Sequence, residues 1–216
     1  MSQSNPNDGG IKLPARVIVS LRAGAILAVA NIICVLIFSS TWTHVKAEPK
    51  VVTVTGSAKK QITKSYGYDG GPVFSRDGKK IAWRAGHPST PETKKKYADL
   101  LHEDLTSPMK MELFVADADG KNVKQITNFG CASFAPTFTP DGKQLLFASN
   151  KHACDSSKFE LYLINVDGTG LKQVTDYGGF TSFPEYSPDG KKLVFVSDWK
   201  APAKYEFNVF TADWKY

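Results

Sequence analysis

QITNFGCASFAPTFTPDGKQLLFAS, residues 125–149, decides how this chain folds, because its frame occurs three times. QITKSYGYDGGPVFSRDGKKIAWRA starts at Gln61, and QVTDYGGFTSFPEYSPDGKKLVFVS starts at Gln173. In each copy a proline follows the glutamine by eleven residues, at Pro72, Pro136 or Pro184. An aspartate follows five further on, at Asp77, Asp141 or Asp189, and each is succeeded by Gly-Lys. Two spacings kept three times without slippage define a structural repeat, the pattern that overrides any local reading.

Working outward from that stretch, one repeat reads as a β-meander. Residues 138–143 spell strand, Asp-Gly turn, strand, and Asp-Gly supplies the positive φ values of a tight hairpin. QLLFAS at 144–149 is almost wholly apolar, as in a strand covered on both faces. ELYLINV at 160–166 is a third strand, and a second turn at Asp167-Gly168 leads to LKQVT at 171–175, whose alternation suits an outer edge. The first repeat has ELFVA at 112–116 and VKQIT at 123–127, joined at Asp119-Gly120. Four short strands per 40–50 residues is the period of a propeller blade. The fold class expected is therefore all-β: three four-stranded antiparallel meanders near 61–120, 125–168 and 173–213, forming a partial or half propeller.

The step from Asp77 to Asp141 is 64 residues, against 48 for the next, and the surplus lies at 86–110. Ser89-Thr-Pro-Glu92 reads as a capping box with an early proline. Tyr97, Leu100, Leu101 and Leu105 then recur at helical spacing, so a short helix is expected inside the first blade.

Residues 1–47 read differently. No charge occurs from 23 to 43, and Lys12, Arg16 and Arg22 precede that run. A positive start before an apolar core directs export. Val45-Lys46-Ala47 offers a cleavage site, which makes the segment a signal peptide. The apolar core is also long enough to approach a bilayer span, which makes it a signal-anchor helix holding the chain in the membrane through residues 23–43. A buried soluble helix is the plain alternative. Either export route puts residues 48–216 outside the cytoplasm, in a periplasmic or similar space. The formal charge of +6 leaves only +3 after residue 47, with lysines scattered over turns and at 94–96. A nucleic-acid partner needs a concentrated basic face, and this pattern excludes one.

Catalytic and metal motifs are missing: no G-x-S-x-G, H-E-x-x-H, C-x-x-C or phosphate loop occurs. No cofactor and no enzymatic activity are expected. His44, His87, His102 and His152 have no ligand spacing, and Asp117 and Asp119 do not continue into a calcium series. Cys131 precedes the first strand of the second blade, and Cys154 lies between its second and third strands. An alternating meander puts those loops at one end, where an oxidising compartment permits a disulfide; two free thiols is the alternative. That end also collects the irregular sequence. Tyr68, Asp69, His87, Phe134, His152, Phe183 and Trp199 form the candidate binding face, since binding groups usually sit on loops of a rigid scaffold. For Phe134 and Phe183 the plain alternative is packing between blades.

Taken together, the Pro and Asp-Gly box, ELYLINVDGTGLKQVT at 160–175, HPSTPETKKKYADLLHEDL at 87–105 and NVFTADW at 208–214 resemble the TolB-like β-propeller family over about residues 51–216. The likeness is to the last three blades of longer members. It implies an exported six-bladed ring that works by protein contact at the cell envelope. Related propellers also gate oligopeptidases, and a propeller mouth also takes carbohydrate or other small ligands. Arg76 stands where the family has proline, only three blades are present, and the separate N-terminal domain of TolB is absent.

A blade face is apolar and needs a neighbour. The third repeat stops after its third strand, whereas VVTVT at 51–55 and KQIT at 60–63 match strands three and four. Two readings follow: a homodimer joined head to tail into a six-bladed ring, or an open, truncated form.

Overall fold

A computed structural model describes residues 60–105 and 110–215. The expected export segment, its candidate cleavage site and the expected strand at 51–55 lie outside the described residues. Among the described residues no helix is long and apolar enough to cross a membrane. The chain divides into two compact units, Met1–Thr53 with His102–Leu105, and Val54–Leu101 with Thr106–Tyr216. Every described strand belongs to the second.

Those strands make three antiparallel sheets. The first runs β1 (Tyr68–Phe74), β2 (Lys80–Gly86), β3 (Glu112–Asp117), β4 (Lys124–Gln125). The second runs β5 (Ser133–Phe138), β6 (Gln144–Ser149), β7 (Glu160–Asn165), β8 (Lys172–Gln173). The third holds β9 (Thr181–Tyr186), β10 (Lys192–Ser197) and β11 (Asn208–Asp213). Among the described residues the third sheet has three strands, in keeping with the sequence reading that the third repeat stops after its third strand.

The β1–β2, β5–β6 and β9–β10 corners show why the Asp-Gly spacing is rigid. Gly142 N–H donates to Thr139 O at 2.8 Å, and both the Thr139 hydroxyl and Lys143 N–H donate to Asp141 Oδ1 at 2.7 and 3.1 Å. Ser75/Asp77 and Ser187/Asp189 repeat that geometry. The turn differs from the two-residue form expected. Only the glycine is left-handed, at φ 69°, 72° and 73° for Gly78, Gly142 and Gly190, while the aspartate acts as an acceptor.

A second shared feature is a bulge in the first strand of each blade. Register slips between Gly70 and Val73, between Phe134 and Thr137, and opposite Val194–Val196. The residue before each proline is left-handed: Gly71 at 59°, Ala135 at 50° and Phe183 at 54°. For a non-glycine residue that conformation costs roughly 1–2 kcal/mol, so the surrounding ladder holds it.

Packing joins the sheets face to face. Leu145 and Phe147 of β6 point to the first sheet and meet Ala82, Leu113 and Val115. Leu146 and Ala148, one residue out of phase, point to the third and meet Leu193 and Phe195. The continuous apolar run is thus explained by two covered faces. Glu112 and Glu160 pin each blade to the next connection. Glu160, buried, accepts from the Thr175 hydroxyl at 2.5 Å and from Tyr177 and Gly178 N–H at 2.8 and 2.7 Å. Glu112 accepts from the Thr127 hydroxyl and Gly130 N–H at 2.6 and 2.8 Å.

Helix α1 (Pro91–His102) fills the insertion. Its cap is Thr90, not Ser89. Thr93 N–H donates to Thr90 Oγ1 at 3.2 Å, and Thr90 N–H donates back to Thr93 Oγ1 at 3.1 Å. Proline takes the first helical position, where its missing N–H costs nothing, and this moves the cap to the residue before it.

Candidate functional site

In a meander the β2–β3 loops and the links between blades share one end. There the structure gathers the candidate residues into three groups.

At the first blade, Tyr68, Asp69 and His87 come together. Asp69 Oδ1 accepts from Trp83 Nε1 at 2.9 Å and lies 3.2 Å from His87 Nε2. In the other blades the position of Asp69 carries a hydroxyl paired across the ladder, Ser133 with Ser149 at 3.1 Å and Thr181 with Ser197 at 2.9 Å. A carboxylate here therefore trades a sealed pair for an anchor of the loop that starts the insertion. Arg84, buried, donates to the Tyr68 hydroxyl at 2.8 Å. Between this group and α1 lies a cleft of about 520 Å³, lined among others by Tyr68, His87, Tyr97, Leu100, Lys110 and Met111. Burial raises the Tyr97 phenol above its ordinary value, with Tyr66 adding to it.

Between the second and third blades, Phe134 and Phe183 meet edge to face with centroids 5.8 Å apart. Phe159 and Phe180 join them, at 5.0 and 6.5 Å from Phe134, and Phe207 stacks edge-on to Phe180 at 5.2 Å. The two expected residues thus sit in a shared, half-buried aromatic seam rather than standing free. Phe207 extends that seam to the surface, 46% exposed.

The third group surrounds Trp199. It stacks on Tyr177 at 5.1 Å and tilts against Phe210 at 6.0 Å. Lys200 Nζ lies 4.4 Å from its ring centre, and Lys204 Nζ lies 4.9 Å from that of Tyr205. Such contacts restrain exposed rings. His152 stands apart, its Nδ1 3.2 Å from the Tyr162 hydroxyl. Burial, then the nearby Glu160, raises the Tyr162 phenol. Cys131 and Cys154 are joined, with Cα atoms 4.9 Å apart. That link, with Asn150 Nδ2 donating to Cys154 O and Ser156 O at 2.8 and 3.0 Å, fixes the long β6–β7 loop.

Tyr177, Phe159, Phe180 and Phe207 were not foreseen from sequence. Only their aromatic character in the links between strands hinted at them. At the opposite end, Arg76 proves to be more than a departure from a proline. Its Nη2 donates to Pro188 O at 2.6 Å and to Ser187 O at 3.2 Å, tying the first blade's corner to the third's. Among the described residues no group of three or more His, Cys, Asp or Glu is placed to hold a metal ion.

In a comparison with protein families, residues 106–210 match the TolB beta propeller domain. Over that stretch the blades resemble the TolB propeller. A comparison with curated proteins gives no match. Among solved structures, TolB from Acinetobacter baumannii is 25% identical with a TM-score of 0.50, over 70% of this chain and 31% of that one. A protein described as TolB from Agrobacterium tumefaciens is 23% identical, TM-score 0.48, over 70% and 47%. An oligogalacturonate lyase in complex with manganese is 24% identical, TM-score 0.47, over 68% and 39%. The matched region spans less than half of each of these relatives, so the TolB-like label describes blades and not a whole protein's activity.

Proposed function

We propose that these TolB-like blades act outside the cytoplasm, at the cell envelope, as a scaffold that binds a protein and performs no catalysis. The observation that carries this reading is the aromatic surface at the loop end: Tyr177, Trp199, Tyr205 and Phe207 are 40%, 39%, 60% and 46% exposed. Rigid aromatic side chains give large contact area at small entropic cost and dominate protein interfaces. Stacking, the flanking lysines and the strand ends hold them in place before any partner arrives. An oxidising location is supported by the Cys131–Cys154 bond and by the charged-then-apolar leader at 12–43.

A photo-crosslinking residue placed at Tyr205 of the full chain in cells tests this. A discrete protein adduct is expected there and is absent when the same residue replaces Lys143, in a corner at the opposite end. No adduct at Tyr205, or the same adducts at both positions, overturns the reading. A second reading, recognition of a carbohydrate or other small ligand, is supported by the cleft beside α1. It predicts ligand-induced quenching of Trp83 fluorescence that Tyr97→Ala abolishes.

A further inference from the structure

Each internal junction between blades uses the same repeat positions, and the same positions lie open on the outer side of the third blade. Leu113 and Leu161, one residue into β3 and β7, are fully buried by the following blade. Their counterpart in β11, Val209, is 60% exposed. Leu146 and Ala148 of β6 are fully buried, whereas Val194 and Val196 at those positions in β10 are half-buried. The complementary half of such a junction lies open on the first blade. Phe138 and Tyr186, which end β5 and β9, are buried against the preceding sheet, whereas Phe74 at the end of β1 is 68% exposed.

The strand ladder gives a second, independent correspondence. Gln125 pairs with Phe114, and Gln173 with Tyr162, so β4 and β8 each close a sheet. Gln61 belongs to the same frame: its side chain donates to Thr63 O at 2.8 Å, as Gln125 does to Thr127 O at 2.7 Å and Gln173 to Thr175 O at 2.8 Å. Ile62 lies against the first sheet's outer face, beside Ile81, Trp83 and Ala85, as Ile126 lies against the second. Residues 60–63 thus occupy the place of a fourth strand whose third strand would be a β11-type edge. The clamp fits too. Thr127 and Thr175 donate to Glu112 and Glu160, and the matching pair is Thr63 with Asn208, exposed at the start of β11.

We propose that a second copy of this chain docks head to tail on the third blade. Its Lys60–Gln61 add to the free edge of β11, Thr63 bonds Asn208, and Phe74 covers Val209 with Val194 and Val196. An exposed strand edge over an apolar flank is an invitation to pairing that an exact structural mate satisfies. The contact is heterologous, so two copies with three blades each close one ring through two identical junctions.

Light scattering of the full chain in detergent, with the detergent mass subtracted, reads the outcome. Twice the mass of one chain is expected. Phe74→Glu and Val209→Glu each spoil both junctions and give single copies, with the fold checked by circular dichroism. Mixing the two variants restores one intact junction, so dimers return, with a dissociation constant weaker than the wild type's. In addition, Thr63→Cys with Asn208→Cys gives a reducible chain-to-chain link that neither single change gives. A wild-type chain that stays single at high concentration, a dimer that survives both glutamates, or a mixture that fails to pair overturns the proposal.

Discussion

In the second blade both faces of β6 are covered, and Leu145, Leu146 and Phe147 are fully buried. In the third, built on the same frame and the same corner, the described residues bury one face of β10 and leave the other half-buried, and β11 is largely exposed. The first three strands of the two sheets pair in the same registers. What differs is the neighbour. In a repeat architecture a blade's stability is the sum of its intrinsic term and the interfaces with its neighbours, and an interface is what the third blade lacks.

The strongest way to break this comparison is a pair of truncations in a single copy, kept dilute so that chains stay apart. Leu161→Ala is expected to cost about 2–5 kcal/mol, as buried leucine truncations do. Val209→Ala, at the same repeat position, should stay within about 0.5 kcal/mol, as exposed sites do. Urea unfolding measures both, and equal costs would refute the contrast. Next in size is the disulfide, which only the second blade has. Its ends are 23 residues apart, and a loop of that size is stabilised by about 3 kcal/mol in the chain-entropy model. Reduction should lower the unfolding free energy extrapolated from urea melts by that amount and loosen the loop of His152 first, as seen by proteolysis.

The buried carboxylate sharpens the comparison further. Glu160→Gln leaves two N–H groups and a hydroxyl with a weaker acceptor, at an expected cost of about 2 kcal/mol for a charged hydrogen-bond hub. Asn208→Ala, its counterpart on the open blade, should be near neutral in a single copy. The smallest effect is common to all blades. Hydrogen bonds from Ser75 and Ser187, then from Lys79 and Lys191 N–H, hold Asp77 and Asp189 below the ordinary carboxylate value. A carboxyl with a depressed folded pKa stabilises the fold above its unfolded value and loses that contribution as pH falls through the folded one. Thermal melts should therefore decline slightly on acidification below that range, and less so in Asp77→Asn with Asp189→Asn.

Much of this architecture was legible because it is periodic. The glutamine, proline and aspartate spacings locate all three sheets and their corners, and the surplus at 86–110 locates α1. The missing parts depend on curvature or on distant partners. Glu160 reaches residues 15 to 18 positions away, which becomes visible only once the link to the next blade folds back. Arg76 meets a residue 112 positions on, and only the convergence of corners around an axis brings it there. The left-handed turns at Ala135 and Phe183 carry no residue signature, since neither side chain favours that conformation. At the loop end, grouping Tyr68, Asp69 and His87 required only alternation along the strands. Placing Phe134 and Phe183 in one seam with Phe180 and Phe207 required the angle between blades.

Hydrogen exchange on a single copy, resolved by strand, tests the dependence of each blade on its neighbour most directly. Amides of β6 and β7 should exchange slowest, those of β2 and β3 close behind, and those of β11 fastest by orders of magnitude. Equal protection of β11 and β7 in a chain shown to be alone would contradict it.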